Sequence, residues 1–198
     1  MNIRRPIPAV LCLSLYLLPV PAALADQAVL HMAIGDPARR DREVPVVLDG
    51  ITDTATGELV TPAEMARRLA KTGILFIGEN HTDQNFHDVQ FRTIRALHDA
   101  GREVLIGLEM FPYPEQPSLD NWIAGRYTED GFVELARWYD NWGYHWNYYR
   151  EIFNYARENG LPMYAVNSPR DVVKAVRTKG FGNLTPEELA AAERQLAI

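Results

Sequence analysis

Glu79, His81 and His87, with Glu109 further on, are the side chains of this sequence best suited to hold a metal or move a proton. Carboxylate and imidazole donors suit a divalent cation, and a water activated between Glu79, His81 and Glu109 would serve hydrolysis. Glu-x-His is equally what a helix-flanking acid and a hydrogen-bonded surface histidine look like, so spacing alone leaves both readings open. Asn167 and Arg170 make a second polar group, which suits either an anion or a loop tied by its own asparagine.

The third concentration is aromatic. Residues 138–149 hold three of the four tryptophans and four of the nine tyrosines. Such density builds core and an amphipathic rim. Its alternative use is a platform for a flat apolar ligand, with Tyr144, His145, Tyr148 or Tyr149 reaching a metal centre such as haem iron. His98 reads as structural, or as a charge complementing a helix C-terminus. No glycine-rich phosphate loop and no Gly-x-Ser-x-Gly elbow is present, which argues against phosphate-loop enzymes and serine hydrolases.

The elements that must position these residues alternate between helical and extended patterns. Val44–Leu48 reads as a strand, with turns at Asp49-Gly50 and Thr56-Gly57. Thr61-Pro62-Ala63-Glu64 is a capping box whose helix should stop at Gly73. Ile74–Ile77 is then a buried strand ending in Gly78 and Glu79. A helix over 85–100 follows, with His87, Phe91, Ile94 and His98 on one face. Val104–Glu109 reads as a second strand, 111–117 as a loop, and 118–122 and 132–142 as helical. Trp146, Tyr149, Ile152, Phe153 and Ala156 mark the inner face of a helix closing at Gly160. Pro162–Asn167 is a third strand, 171–179 a helix, and Thr185-Pro186-Glu187-Glu188 a second capping box.

This pattern predicts an α/β fold, a mostly parallel sheet with helices on its faces and a ligand pocket at the strand carboxyl ends. That arrangement would bring Glu79, His81 and Glu109 to one edge. Residues 1–25 read as a signal peptide, with Arg4 and Arg5, an apolar run over 9–18 and a cleavage site near Ala25. The expected location is therefore periplasmic or secreted, with no stable membrane insertion. Residues 26–60 form an entry segment and 61–198 the main domain. The last helix reaches Ile198 without a cap, so that domain is expected to be incomplete at its C-terminus, or even a fragment with no activity of its own.

Cys12 falls inside the leader and leaves the mature chain without a thiolate ligand. Cleavage also removes two of the 20 basic residues against 26 acidic ones, shifting the formal charge from −6 to −8. An acidic surface speaks against nucleic acid as a partner.

Six motifs in order carry a resemblance: Gly78-Glu79-Asn80-His81 with His87 and Gln90, Gly107–Phe111, Gln116–Asp120, Trp142-Gly143-Tyr144 with Trp146 and Tyr149, and Ala165-Val166-Asn167 running into Ser168-Pro169-Arg170. Together, over 61–184, they resemble the ChaN family of haem-binding uptake proteins in the Tiki superfamily. The resemblance implies an exported protein of haem or iron acquisition, haem held between the protomers of a homodimer, an outer-membrane haem receptor system as partner, and a tyrosine as iron ligand. Tyr149 is the first choice, before Tyr144 and Tyr148, with His145, Asn167 and Arg170 as further cofactor contacts. Glu79, His81, His87 and Glu109 would line the pocket. The wider superfamily also contains metal-dependent proteases, whose Gly-x-x-His and strand-end Glu correspond to Gly78, His81 and Glu109. Three departures stand out: Phe86-His87 where a His pair is frequent, no second Gly-x-x-His, and no lipobox.

Overall fold

The structure, a computed structural model, describes residues 29–31, 43–45, 47 and 50–193. The signal peptide and its cleavage site, Cys12, most of the segment over 26–49, and the chain end at 194–198 lie outside the described residues. The chain divides into two compact units, Met1–Val60 and Thr61–Ile198.

The first unit contains two antiparallel pairs. Strands β1 (Val29–His31) and β2 (Glu43–Pro45) pair with Leu30 opposite Val44. Strands β3 (Ile51–Asp53) and β4 (Glu58–Val60) pair with Thr52 opposite Leu59. The turn between β3 and β4 closes by a hydrogen bond from the Gly57 amide to the Asp53 carbonyl at 2.7 Å. Gly57 sits there at φ 81°, where a Cβ would strain the backbone.

The second unit begins with α1 (Pro62–Arg68), capped where the sequence places its cap: Thr61 Oγ1 accepts the Glu64 amide at 3.1 Å. The helix ends at Arg68, short of Gly73. Helix α2 (Gln84–Asp99) buries His87, Thr93 and Ile94, and Phe91 packs against the core from the same face. His98 Nδ1 meets the Tyr155 hydroxyl at 2.8 Å, a structural role.

Strand β5 (Ile106–Pro112) buries Ile106, Leu108 and Met110 on one face. It pairs in parallel with β6 (Met163–Asn167), with Ile106 opposite Met163, Leu108 opposite Ala165, and an irregularity before Pro112 meets Asn167. Between them run α3 (Gln116–Ile123), α4 (Glu129–Leu135), α5 (Trp138–Asn141) and α6 (Arg150–Asn159), the long crossover that parallel pairing requires. Gln116 covers the other edge of β6. Its amide donates to the Met163 carbonyl at 2.8 Å and its oxygen accepts the Ala165 amide at 2.8 Å, as a neighbouring strand would. Helices α7 (Arg170–Lys179) and α8 (Pro186–Glu193) follow. The α8 capping box is reciprocal: the Glu188 amide donates to Thr185 Oγ1 at 3.2 Å and the Thr185 amide to Glu188 Oε2 at 2.9 Å.

The core is aromatic, built from Phe111, Trp122, Phe132, Trp138, Trp146 and Phe153, with Trp122 and Phe132 rings 4.8 Å apart. Every tryptophan N–H finds an acceptor, Trp122 on the Phe153 carbonyl, Trp138 on the Tyr144 carbonyl, Trp146 on Glu129 and Trp142 on the Tyr149 hydroxyl. Burying these rings therefore leaves no indole donor stranded.

The α/β class holds in its coarse form, as a helix-rich unit around a small parallel sheet. Among the described residues the expected broad parallel sheet narrows to β5 and β6, because Ile74–Ile77 forms no strand. Ile74 and Phe76 are correspondingly 75% and 92% exposed. Two boundaries also move. Residues 111–117 are not a loop: β5 continues through the buried Met110 and Phe111, and a 3-10 turn at Tyr113–Glu115 leads into α3. The helix expected over 132–142 breaks between α4 and α5, where Arg137 adopts the left-handed conformation at φ 51°.

Candidate functional site

Glu79 lies at the end of the extended segment after α1, and its two carboxylate oxygens gather side chains from three parts of the chain. Oε1 sits 2.5 Å from His81 Nδ1 and accepts the Tyr149 hydroxyl at 2.8 Å. Oε2 accepts the Gln90 amide at 2.9 Å and stands 3.4 Å from His87 Nδ1. Helix α2 supplies His87 and Gln90 one turn apart on one face, capped by Asp83 Oδ1 accepting the Asn85 amide. The start of α6 supplies Tyr149.

Two opposing effects set the charge of Glu79. Burial pushes its carboxyl upward, but hydrogen bonds from His81, Tyr149 and Gln90, with His87 close by, outweigh it and hold the group below its ordinary range. Glu79 is thus an ionised acceptor at neutral pH. The hydrogen between it and His81 therefore belongs to His81 Nδ1.

Tyr149 is 2% exposed and its hydroxyl is used twice, donating to Glu79 and accepting the Trp142 N–H at 2.8 Å. Burial and the neighbouring carboxylate push its phenol far above the ordinary value, although the Trp142 N–H opposes them. Tyr149 is built as a neutral donor to Glu79, a poor starting point for the tyrosinate the resemblance assigns to it.

His87 is 1% exposed, with Nε2 3.3 Å from the His81 carbonyl and Nδ1 3.3 Å from Gln90 Oε1. Rings enclose both imidazoles. His81 meets Trp142 edge-on at 4.9 Å and Tyr144 at 4.4 Å, and His87 meets Tyr149 at 4.5 Å and Tyr148 at 5.3 Å. Tyr144 and Tyr148 are half-buried, unlike Tyr149.

A cavity of about 440 Å³ opens between the segment 73–79 and the edge of β5 that no strand pairs. Its walls are mostly aliphatic, among them Leu75, Ile77, Ile94, Leu97, Ile106 and Leu108, and its polar wall is formed by Glu79, His81, Gln90, Tyr149 and Glu109. This volume and lining suit an organic ligand with one anchoring polar side.

The remaining expected residues stand outside the bonds of the Glu79 cluster. Glu109 occupies an exposed position in mid-strand of β5 and lines the same cavity as Glu79 and His81, without taking part in the hydrogen bonds around Glu79. Asn167 ties the two strands by donating to the Glu109 carbonyl at 2.9 Å, and Arg170 donates to the Asn141 carbonyl at 3.0 Å. These are loop-holding bonds. His145 is exposed and caps the 3-10 turn after it, accepting the Asn147 amide at 3.2 Å. Among the described residues no group of three or more His, Cys, Asp or Glu is arranged to hold a metal ion. The Glu79 oxygens are already occupied by His81, Tyr149 and Gln90.

Gln90 and Trp142 are the contributors that spacing did not single out. Gln90 had a faint signal, its place three residues after His87 on the same helix face. Trp142 stood out only as part of the aromatic segment and of a motif behind the resemblance, since its role depends on a bond across seven residues of chain.

Aliphatic walls and an imidazole braced by a carboxylate on the polar side are features that an iron porphyrin can use. A family model described as haem-binding uptake, Tiki superfamily, ChaN, matches residues 65–197. The chain is also similar to the protein RETICULATA-RELATED 5, chloroplastic, of Arabidopsis thaliana, with 26% identity over 128 residues, covering 61% of this chain. The chain spans only 17% of that relative's length. No solved structure matches.

Proposed function

The chain belongs to the ChaN family of haem-binding uptake proteins in the Tiki superfamily, and from that premise we propose that it is an exported protein that binds haem in the service of haem or iron uptake. One observation carries the reading: an imidazole fixed by a carboxylate stands on the wall of an apolar cavity, inside the stretch the family model matches. Haem would supply a ferric iron and a large apolar ring. The aliphatic wall of the cavity would bury part of the ring, and His81 on its polar wall is within reach of donating to the iron, with Tyr144 and Tyr148 packed behind the imidazoles. Glu79, Gln90, His87 and Tyr149 hold His81 in place and exclude water behind it.

Export rests on the signal-peptide pattern of residues 1–25. Among the described residues no helix is long and apolar enough to cross a membrane. A second copy of the chain is the partner that the exposed Ile74 and Phe76 support, and an outer-membrane haem receptor system is the expected source of the ligand. The metal-dependent hydrolase is the weaker reading, because among the described residues no group of three or more His, Cys, Asp or Glu is arranged to hold a metal ion.

Titrating ferric haem into the purified chain tests the reading. The expected result is a saturable change in the Soret band with a fixed stoichiometry, weakened when Leu108 on the cavity wall is replaced by aspartate. A spectrum that stays that of free haem at every protein concentration overturns it.

A further inference from the structure

We propose that His81, through Nε2, is the iron donor of the haem site, and that Glu79 is the residue that positions and strengthens it. The proposal rests on the haem-binding reading and goes beyond it by naming the axial group, which the resemblance assigns to a tyrosine.

Three features of the cluster point to His81. The Glu79 carboxylate is only 2.5 Å from His81 Nδ1, and a carboxylate can only accept. His81 therefore keeps a proton on Nδ1 in that bond, and Nε2 is the ring nitrogen left for a ligand. A metal-binding histidine characteristically donates its other ring N–H to a carboxylate, which fixes the tautomer and raises the basicity of the donating nitrogen. Second, the ring is immobilised on two further sides by Trp142 and Tyr144, so little rotamer freedom remains to be lost on binding. Third, His81 lines the cavity and is 34% exposed, while the rival imidazole, His87, is sealed with both nitrogens facing oxygen atoms.

The tyrosines serve this arrangement instead of replacing it. Tyr149 spends its proton on the same Glu79 oxygen that holds His81, and ionising it would break that bond and place two negative charges side by side. Tyr144 covers one face of the His81 ring. Donation uses the Nε2 lone pair for the bond to iron, and the Nδ1 proton stays between His81 and Glu79.

The test uses the full chain loaded with ferric haem and then reduced, with resonance Raman spectroscopy to read the iron–histidine stretch. This band is expected in the wild type and in Tyr144→Phe, Tyr148→Phe and Tyr149→Phe. It should vanish in His81→Gly and return when imidazole is added, a rescue that also shows the variant is folded. Glu79→Gln should retain the band at lower frequency and bind haem about 10- to 100-fold more weakly, the loss expected when a ligand's supporting carboxylate is removed. The frequency shift separates positioning from mere structural support. A band that persists in His81→Gly, or iron–tyrosinate bands in the ferric wild type, overturns the proposal while leaving haem binding intact. No Soret change in the wild type overturns both.

Discussion

Replacing Tyr149 by phenylalanine deletes one oxygen and two hydrogen bonds, with almost no change in shape. The first bond, to the Glu79 carboxylate, is of the charged kind worth about 1.5–3 kcal/mol. The second leaves the Trp142 N–H without its acceptor, and because Trp142 is half-buried, water recovers part of that loss, so about 1 kcal/mol is assigned to it. A total near 3 kcal/mol should lower the unfolding midpoint by about 6–12 °C for a chain of this size. The pH dependence makes the prediction specific. The Glu79 carboxyl is held below its ordinary value of 4.5, so its stabilisation is fully present above that pH and is lost as pH falls through the folded value. The penalty of the substitution should therefore be largest at pH 7 and shrink towards about 1 kcal/mol once pH falls below the folded value. Urea unfolding of both proteins over an acidic pH series, followed by tryptophan fluorescence, measures it. A loss under about 0.5 kcal/mol at pH 7, or a loss that stays equal down to the pH at which the wild type unfolds, would refute the hydrogen-bonded hub as the source of stability.

Other consequences follow from single features. Tyr149 holds its proton well above the ordinary phenol value of 10.0, so the stability it contributes is present below pH 10 and is lost as pH rises; alkaline titration of tyrosinate absorbance should show this phenol ionising only with unfolding, and Tyr149→Phe should remove that step. Thr185→Ala removes one half of a reciprocal capping box and should cost α8 about 1 kcal/mol, seen as faster hydrogen exchange of the amides at 187–189 with α2 unaffected. Arg137→Gly relieves a left-handed backbone between α4 and α5 and should stabilise the protein by up to about 1 kcal/mol, less what the Arg137–Asp140 contact contributes, as read by thermal unfolding.

Helices were the legible part of this sequence because their signals are local. Thr61, Thr185 and Gly160 mark ends that the structure keeps, and the apolar spacing of Trp146, Tyr149, Ile152, Phe153 and Ala156 is the buried face of α6 and the turn before it. Strand calls fared unevenly because a strand is defined by its neighbours. Pro162–Asn167 is matched by β6, which finds β5 on one side and the Gln116 amide on the other. Ile74–Ile77 has the same composition and no ladder. Its apolar character instead contributes Leu75 and Ile77 to a cavity wall and leaves Phe76 exposed. Charge was misleading at Glu109, which looked like a strand terminus but occupies an exposed position within β5, whose burial resumes at Met110 and Phe111.

The site divides in the same way. Glu79, His81 and His87 were visible as a group because they lie within nine residues of one another. The bond from Tyr149 spans 70 residues of sequence and changes what that tyrosine is for. The aromatic segment was legible only as a choice between core and platform, and the structure divides it: Trp138, Trp146 and Tyr149 are buried, while Trp142, Tyr144 and Tyr148 flank the imidazoles.

A crystal structure of the full chain with ferric haem tests the central claim most directly. It should show the porphyrin against Leu75, Ile77 and Leu108, iron bonded to His81 Nε2, and the Glu79 to His81 contact preserved. Haem bound away from the segment 73–79, or iron bonded to a tyrosine with His81 turned aside, would contradict it.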